Sequence, residues 1–472
     1  MKKAIKAIIA VIMSLVLVFS ITSSAFATET EGCDCGKTPV VFVEGIGTTL
    51  YIMEDGGERK TVFPMSTDVI LTSLAKFIPA VLISSVFGGW SGFSKSLSVF
   101  VCDLFSEIDC DENGNSVLPV VAHPSVDAEA AEHIYGENIY TFRYDWRLDP
   151  YVIAAELDEY IEAVIAATGH DKVVLSAYSE GGEVTLAYLD EFGSDKLERY
   201  VAQCSAFQGL TLIGEVFTNN VGVKGKVLAD FLVSVVSSTG ADDGVVTLLD
   251  ILRYTGIYSL LSLLVDSVLD NCFDDIYATL ARDVFACMPG IFGFVPAEYF
   301  DKAVDMLFGH DKAKYAALIE RVTRYHNAQV NAESIIEKAI DNGVSVAFVS
   351  NYGVSSMPLL GDKIYQSDML IDSANTAGGA TFAPFGKTFG DGYNQAENDG
   401  HNHLSSDGCV DASTCMFPEY TWFVSGFTHW NVCDEFINWL YWCEGQPTVW
   451  DNPSYPQFLK GNGKTGEVIP QK

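Results

Sequence analysis

Residues 173–182 (VVLSAYSEGG) constrain the fold more than any other stretch of this chain. A short apolar, β-branched run ends in a serine flanked by small residues and followed by two glycines. The run reads as a strand buried on both faces, and the Ser-x-Gly-Gly that closes it reads as a sharp turn into a helix. Such a turn crowds the backbone around Ser179, so the residues two positions to either side must be small. Ala177 and Gly181 meet that requirement and match G-x-S-x-G with alanine in the first place. An elbow of this kind holds the hydroxyl clear of the sheet. It also presents the N–H of the next residue, Glu180, to the place where an oxyanion forms.

The flanking segments fit a parallel sheet wrapped by helices. Residues 39–43 (PVVFV) form a continuous apolar run, the mark of another buried strand, and lead into the glycine-bearing loop 44–49. Residues 68–104 read as loosely apolar helices broken at Gly88-Gly89. Residues 139–143 read as a strand, 150–168 as a helix, 172–176 as the strand feeding the elbow, 183–191 as a helix and 200–204 as a further strand. Strand and helix alternate in the order that predicts an α/β fold with a mostly parallel sheet. From about residue 210 to 342 the strands give way to apolar helical stretches, including 258–269 and 299–308, which predict a helical cap inserted into the sheet domain. Residues 344–350 (VSVAFVS) return to the sheet, 351–406 read as irregular loops, 419–424 as a last strand and 433–442 as a closing helix. The remainder, 444–472, reads as a polar tail.

The first 27 residues predict a cleaved signal peptide. Lys2, Lys3 and Lys6 precede a mostly apolar stretch over 8–21, and Ala25-Phe26-Ala27 supplies an A-x-A cleavage site. The apolar run is short for a membrane span. A secreted, extracellular protein is therefore expected. The chain carries 28 Lys and Arg against 62 Asp and Glu, a net charge of −34 that becomes about −37 once the leader is removed. Such a surface repels nucleic acid and anionic membranes, and no nucleic-acid partner is expected. All eleven cysteines lie beyond the leader, and Cys102/Cys110, Cys409/Cys415 and Cys433/Cys443 have the spacing of short disulfide loops.

A serine nucleophile needs a base to take its proton and an acid to orient that base. His401 and His403 sit inside a polar loop, whereas His429 (GFTHWNVCDEF) lies between the last strand and the closing helix, where a loop can carry an imidazole over the elbow. For the acid, Asp407 stands first because Asp407-Gly408 suits a turn and Val410 can pack inward behind it. Asp411 stands second and Asp372 (MLIDSA) third. The second oxyanion donor is expected from the loop after the first strand, at the Ile46 N–H, with Gly47 as the alternative. No cofactor is expected. The cluster of Asp and Asn from 391 to 399, with His401 and His403, has ligands suited to calcium or a transition metal, but no metal is assigned to it.

VVFVEGIGTTL at 40–50, FRYDWRLDP at 142–150, AYSEGG at 177–182, SDGCVDAS at 406–413 and FTHW at 427–430 arrive in an order that resembles the lecithin:cholesterol acyltransferase and lysosomal phospholipase A2 group of α/β-hydrolases, and more loosely the secreted bacterial lipases. The resemblance spans most of the chain beyond the leader. It implies an α/β-hydrolase fold with a helical cap that supplies an acyl pocket and a lid. It also implies a serine esterase or lipase in which Ser179 attacks an ester carbonyl and His429, held by Asp407, accepts the proton. Asp145 and Trp146 are structural on this reading. The family has Pro where this chain has Glu44, and His-Ser-Met-Gly-Gly where it has Tyr178-Ser179-Glu180-Gly181-Gly182. The Glu180 carboxylate is expected either to oppose the oxyanion or to point into solvent. Lipid or another ester is the implied partner, with transient contact to a lipid surface through the cap. Transfer of the acyl group to an alcohol would use the same triad. A different reading is a catalytically inactive extracellular binding protein, for which Ser179 would be dispensable.

Overall fold

The computed structural model describes residues 37–54, 57–66, 89–125, 138–220, 277–357 and 364–472, together with Val69, Thr72, Ser73, Phe77, Pro79, Asn271 and Asp275. The leader, the expected helix at 258–269, and Cys33, Cys35 and Cys272 lie outside the described residues.

An eight-stranded sheet forms the centre. Its strands are β1 (Val40–Val43), β2 (Ile139–Phe142), β3 (Val173–Tyr178), β4 (Leu197–Gln203), β5 (Ser345–Tyr352), β6 (Thr421–Ser425), β7 (Phe458–Gly461) and β8 (Val468–Pro470). The spatial order is β8-β7-β6-β5-β4-β3-β1-β2. All neighbours are parallel except β7 and β8, which close one edge as an antiparallel pair. This is an α/β fold with helices flanking a mostly parallel sheet.

The central strands are buried on both faces, which is why they read as unbroken apolar runs rather than as alternating ones. Val41, Val43, Leu175, Ala177, Tyr200, Ala202 and Phe348 point to one core, and Val40, Phe42, Val174, Val201, Val349 and Trp422 to the other. Two strands lie after residue 443, in a stretch that reads as a polar tail. β7 and β8 are short, lie at the edge and bury only part of their side chains, so no apolar run marks them.

Helices cover the first face. They include α1 (Gly89–Phe105), α2 (Pro150–Thr168), α3 (Gly181–Phe192), α4 (Thr211–Phe217), α5 (Pro289–Gly293), α6 (Phe300–Phe308), α7 (Ala316–Val330) and α8 (Ala332–Asp341). In α2, Asp149 caps the first turn by accepting from the Tyr151 N–H at 3.0 Å, Pro150 needs no partner for a missing N–H, and Gly169 ends the helix in a left-handed conformation. The described part of the 210–342 region shares its core with the sheet: Phe217, Phe292, Phe308 and Tyr325 belong to the same cluster as Val43 and Leu175.

The second face is covered by α9 (Asp434–Trp442), whose Phe436, Ile437, Leu440 and Tyr441 pack against it. Arg199 on β4 is buried beneath this helix and donates to the carbonyls of Leu440 (2.6 Å), Cys443 (2.7 Å) and Gly445 (2.7 Å). It satisfies acceptors that the helix C-terminus leaves open, and its charge suits the negative end of the helix dipole.

None of the three closely spaced cysteine pairs is bonded. All eight described cysteines are free. Cys102 is exposed while Cys110 is buried, the Cys415 thiol donates to the Ala412 carbonyl at 3.0 Å, and Cys443 Sγ accepts from Arg199 at 2.8 Å. Close spacing in sequence therefore does not bring these pairs to bonding geometry.

Candidate active site

Strand β3 delivers Ser179 to the turn before α3, and Ser179 has φ of +57°. A side chain rarely adopts this left-handed conformation, which costs about 1–3 kcal/mol and persists only where surrounding contacts impose it. Here the Ser179 carbonyl accepts from the N–H groups of Gly182 (3.1 Å) and Ala206 (2.8 Å). Glycine is required just behind it. A β-carbon on Gly181 would lie 2.3 Å from the Val43 carbonyl oxygen. The loop after β1 closes from the other side, where a β-carbon on Gly45 would lie 2.5 Å from Ser179 Cβ and 2.9 Å from its Oγ.

His429 lies between β6 and α9, and the turn geometry brings its Nε2 to 3.0 Å from Ser179 Oγ. Its Nδ1 is 2.7 Å from Asp368 Oδ2. A carboxylate can only accept, so Nδ1 carries the proton and donates to Asp368, leaving Nε2 to accept from the Ser179 hydroxyl. A second bond fixes the same pair through the backbone: the His429 N–H donates to the Asp368 carbonyl at 2.7 Å. The other carboxylate oxygen of Asp368 accepts from the N–H groups of Leu370 (2.9 Å) and Ile371 (2.7 Å). Asp368 is 1 % exposed, His429 3 % and Ser179 7 %, so the chain of three is shielded from water. Shielding strengthens each of these bonds.

Ser179 and His429 are thus brought together, and the carboxylate bonded to His429 is that of Asp368, not that of Asp407. The Asp407 carboxylate is fully engaged elsewhere. One oxygen accepts from the Ser405 hydroxyl (2.6 Å) and the Cys409 N–H (3.0 Å), the other from Tyr352 (2.8 Å) and Gln471 (2.6 Å). Burial pushes its pKa up, but these donors outweigh burial and hold it below the usual carboxylate range. Asp411 holds Tyr393, the Ala396 N–H and Ser413. Asp372 accepts from the Thr211 N–H at 2.7 Å, at the start of α4. All three are structural anchors. Asp368 sits in the Asp- and Asn-bearing stretch that reads as irregular loop, four residues before Asp372. The one available signal was Ser367-Asp368 at the close of a short polar run behind β5.

Ile46 follows Gly45, and Glu180 follows Ser179, so both expected oxyanion donors belong to the two segments that meet at the Ser179 side chain. The Glu180 side chain does not reach solvent. It is buried toward α5, where a β-carbon on Gly290 would lie 3.0 Å from its Oε1, and Tyr144 donates to its Oε2 at 3.5 Å. Glu183, one helical turn on, is fully buried, and neither of its carboxyl oxygens has a partner among the described residues. Burial raises both pKa values well above the usual carboxylate range. The nearby Asp145 raises Glu180 further, and Glu180 raises Glu183. Both carboxyls therefore favour the neutral form. The nearby pair Asp145 and Arg147 is buried, with contacts of 2.6 and 2.9 Å.

The Asp/Asn loop is organised by side chains that bond to one another. His403 is buried between Gln457 (2.8 Å) and Asp399 (2.9 Å), and His401 stacks on Trp450 at 4.2 Å. Among the described residues, Cys204, Asp368 and His429 form a group whose ligand atoms lie within 4.8 Å of one another. A metal there would have to displace the His429–Asp368 hydrogen bond. Cys204 also has φ of +43°, and burial with the adjacent Asp368 carboxylate pushes its thiol well up, so it stays protonated.

No family model matches the chain, and no curated protein matches it. Among solved structures, it is similar to one described as the crystal structure of the Tle4-Tli4 complex, at 11 % identity over 67 % of this chain and 75 % of that one, with a TM-score of 0.29.

Proposed function

We propose that the protein is a secreted serine carboxylic-ester hydrolase of the α/β-hydrolase fold, acting on esters of lipid-like acyl groups. The observation that carries this reading is the bonded sequence Ser179–His429–Asp368 on a positive-φ turn between a buried strand and a helix. Ser179 Oγ attacks the ester carbonyl carbon as its proton passes to His429 Nε2. Asp368 holds the imidazole in the tautomer that can accept and stabilises the imidazolium that forms. Peptide N–H groups of Glu180 and Ile46 bind the oxyanion. Collapse expels the alcohol, which takes the proton from Nε2. Water, activated by the same nitrogen, then releases the acid from the acyl-enzyme. The leader at 1–27 supports secretion, and the resemblance to the acyltransferase and phospholipase group supports an acyl-lipid substrate.

The test is hydrolysis of short- and long-chain p-nitrophenyl esters by the mature protein and its Ser179→Ala variant, each checked for folding by circular dichroism. Activity on the long ester that disappears in the variant is the expected result, and added acceptor alcohol reports any acyl transfer. If the folded wild type is as inert as the variant on every ester, the hydrolase reading fails in favour of a binding protein.

A further inference from the structure

We infer that Tyr178 is a positioning residue for His429, and that it couples the histidine loop to the nucleophile turn; this rests on the hydrolase reading above. The residue immediately before Ser179 makes two separate contacts with the base. Its ring stacks on the imidazole with centroids 5.0 Å apart and planes inclined by 29°, and its hydroxyl donates to the His429 backbone carbonyl. Phe42 on β1 stacks behind it at 6.3 Å and 27°, so the tyrosine ring is itself supported from the sheet.

The His429 peptide is therefore held at both ends. Its N–H is bonded to Asp368 and its carbonyl to Tyr178. The loop that carries His429 has no regular secondary structure of its own, and loops move more than the elements they join. Nε2 must nevertheless stay within hydrogen-bond reach of Ser179 Oγ, because displacements of about 1 Å can lower turnover by about a hundredfold. Tyr178 ties that loop directly to the backbone of the nucleophile, its own chain neighbour. Motion of the loop relative to the elbow then costs the Tyr178 hydrogen bond and the ring stack together. The ring has a second effect at the moment of reaction. Its electron-rich face lies against the imidazole as that ring takes up the serine proton, and a quadrupole of this sign favours the cation.

The experiment compares wild type, Tyr178→Phe and Tyr178→Leu in the mature protein. Phe keeps the stack and removes the hydroxyl; Leu removes both. The Leu variant is expected to lose roughly a hundredfold in kcat with KM within about twofold. The Phe variant is expected to lose only about fivefold. The second readout needs no substrate: the far-downfield proton resonance of the imidazole N–H bonded to a carboxylate, expected in wild type, weakened by exchange in Tyr178→Phe and lost in Tyr178→Leu. Thermal unfolding establishes that each variant is folded, and if Leu is not tolerated the Phe variant alone still has to show both changes. Wild-type kcat in a folded Leu variant, or a loss confined to KM with the resonance intact, overturns the role of Tyr178. A resonance that responds as expected in a protein with no ester turnover leaves Tyr178 as the brace of His429 and sinks the ester reading instead.

Discussion

The turn at Asp368 and the loop at Asp407 begin alike. Each has Ser-Asp followed by a residue with positive φ, Met369 at +91° in one and Gly408 at +68° in the other. In each, one carboxylate oxygen is spent on the turn itself, on the N–H groups of Leu370 and Ile371 or on Ser405 and the Cys409 N–H. The difference lies in the second oxygen. Asp368 offers it to His429, whereas Asp407 offers it to Tyr352 and Gln471 and so pins the end of β5 to the chain's C-terminal residues. Which aspartate orients a base is decided by where its last lone pairs go, and turn composition does not report that.

Paired substitutions break this comparison most sharply. Asp368→Asn leaves the turn but presents His429 with an amide, favouring the wrong tautomer, and is expected to lower kcat by about 10⁴-fold. Asp407→Asn is expected to keep kcat within about threefold per folded molecule, since no bond runs from it to His429. Steady-state kinetics on protein corrected for folded fraction reads both. Equal losses in the two folded variants would show that the two carboxylates are not distinguished as argued.

The central parallel strands and the turn at Ser179 were legible because doubly buried strands leave apolar runs and that turn tolerates only small neighbours. His429 was legible from its place between a strand and a helix. Asp368 was not, because the Asp-Gly rule favours Asp407 and nothing local marks Met369 as a residue forced into a glycine's conformation. Its buried side chain and the bond from its N–H to Ser367 Oγ at 2.9 Å help hold it there. Strands β7 and β8, and the inward turn of Glu180, depend on partners far along the chain and leave no local trace.

Glu183 is the limiting case of the same count, a carboxyl with no donor among the described residues. Its raised folded pKa means that the native state holds its proton more tightly than the unfolded chain. Stability from this group is present below the ordinary glutamate pKa and is lost as pH rises toward the folded value, by up to about 1.4 kcal/mol per pH unit. Asp407 has the opposite sign: its pKa is lowered, and its contribution is lost as pH falls through the folded value. Glu183→Gln is therefore expected to gain in unfolding free energy relative to wild type as pH rises above about 4.5. Urea titrations across pH measure the difference, and a gap that does not change with pH removes the buried proton from the account.

Asp407→Ala sharpens the comparison through stability. It leaves Tyr352, Gln471, Ser405 and the Cys409 N–H without their shared acceptor, although the half-buried site lets water replace part of it. A loss of about 2 kcal/mol with near-normal kcat is expected from urea unfolding and kinetics on the same sample. A change below about 0.5 kcal/mol would mean that the network does not hold the C-terminal strands in place.

The smallest effect comes from the residue that misdirects the eye, Gly408. At φ of +68° a β-carbon is strained, and it would also meet Thr388 Cβ at 3.3 Å, a contact that a small shift relieves. Gly408→Ala is expected to cost about 1 kcal/mol of unfolding free energy and to leave kcat unchanged, because the turn it belongs to anchors the chain and does not reach the imidazole. A loss of activity at full stability would place this turn in communication with His429, and with it the distinction between the two aspartates would fail.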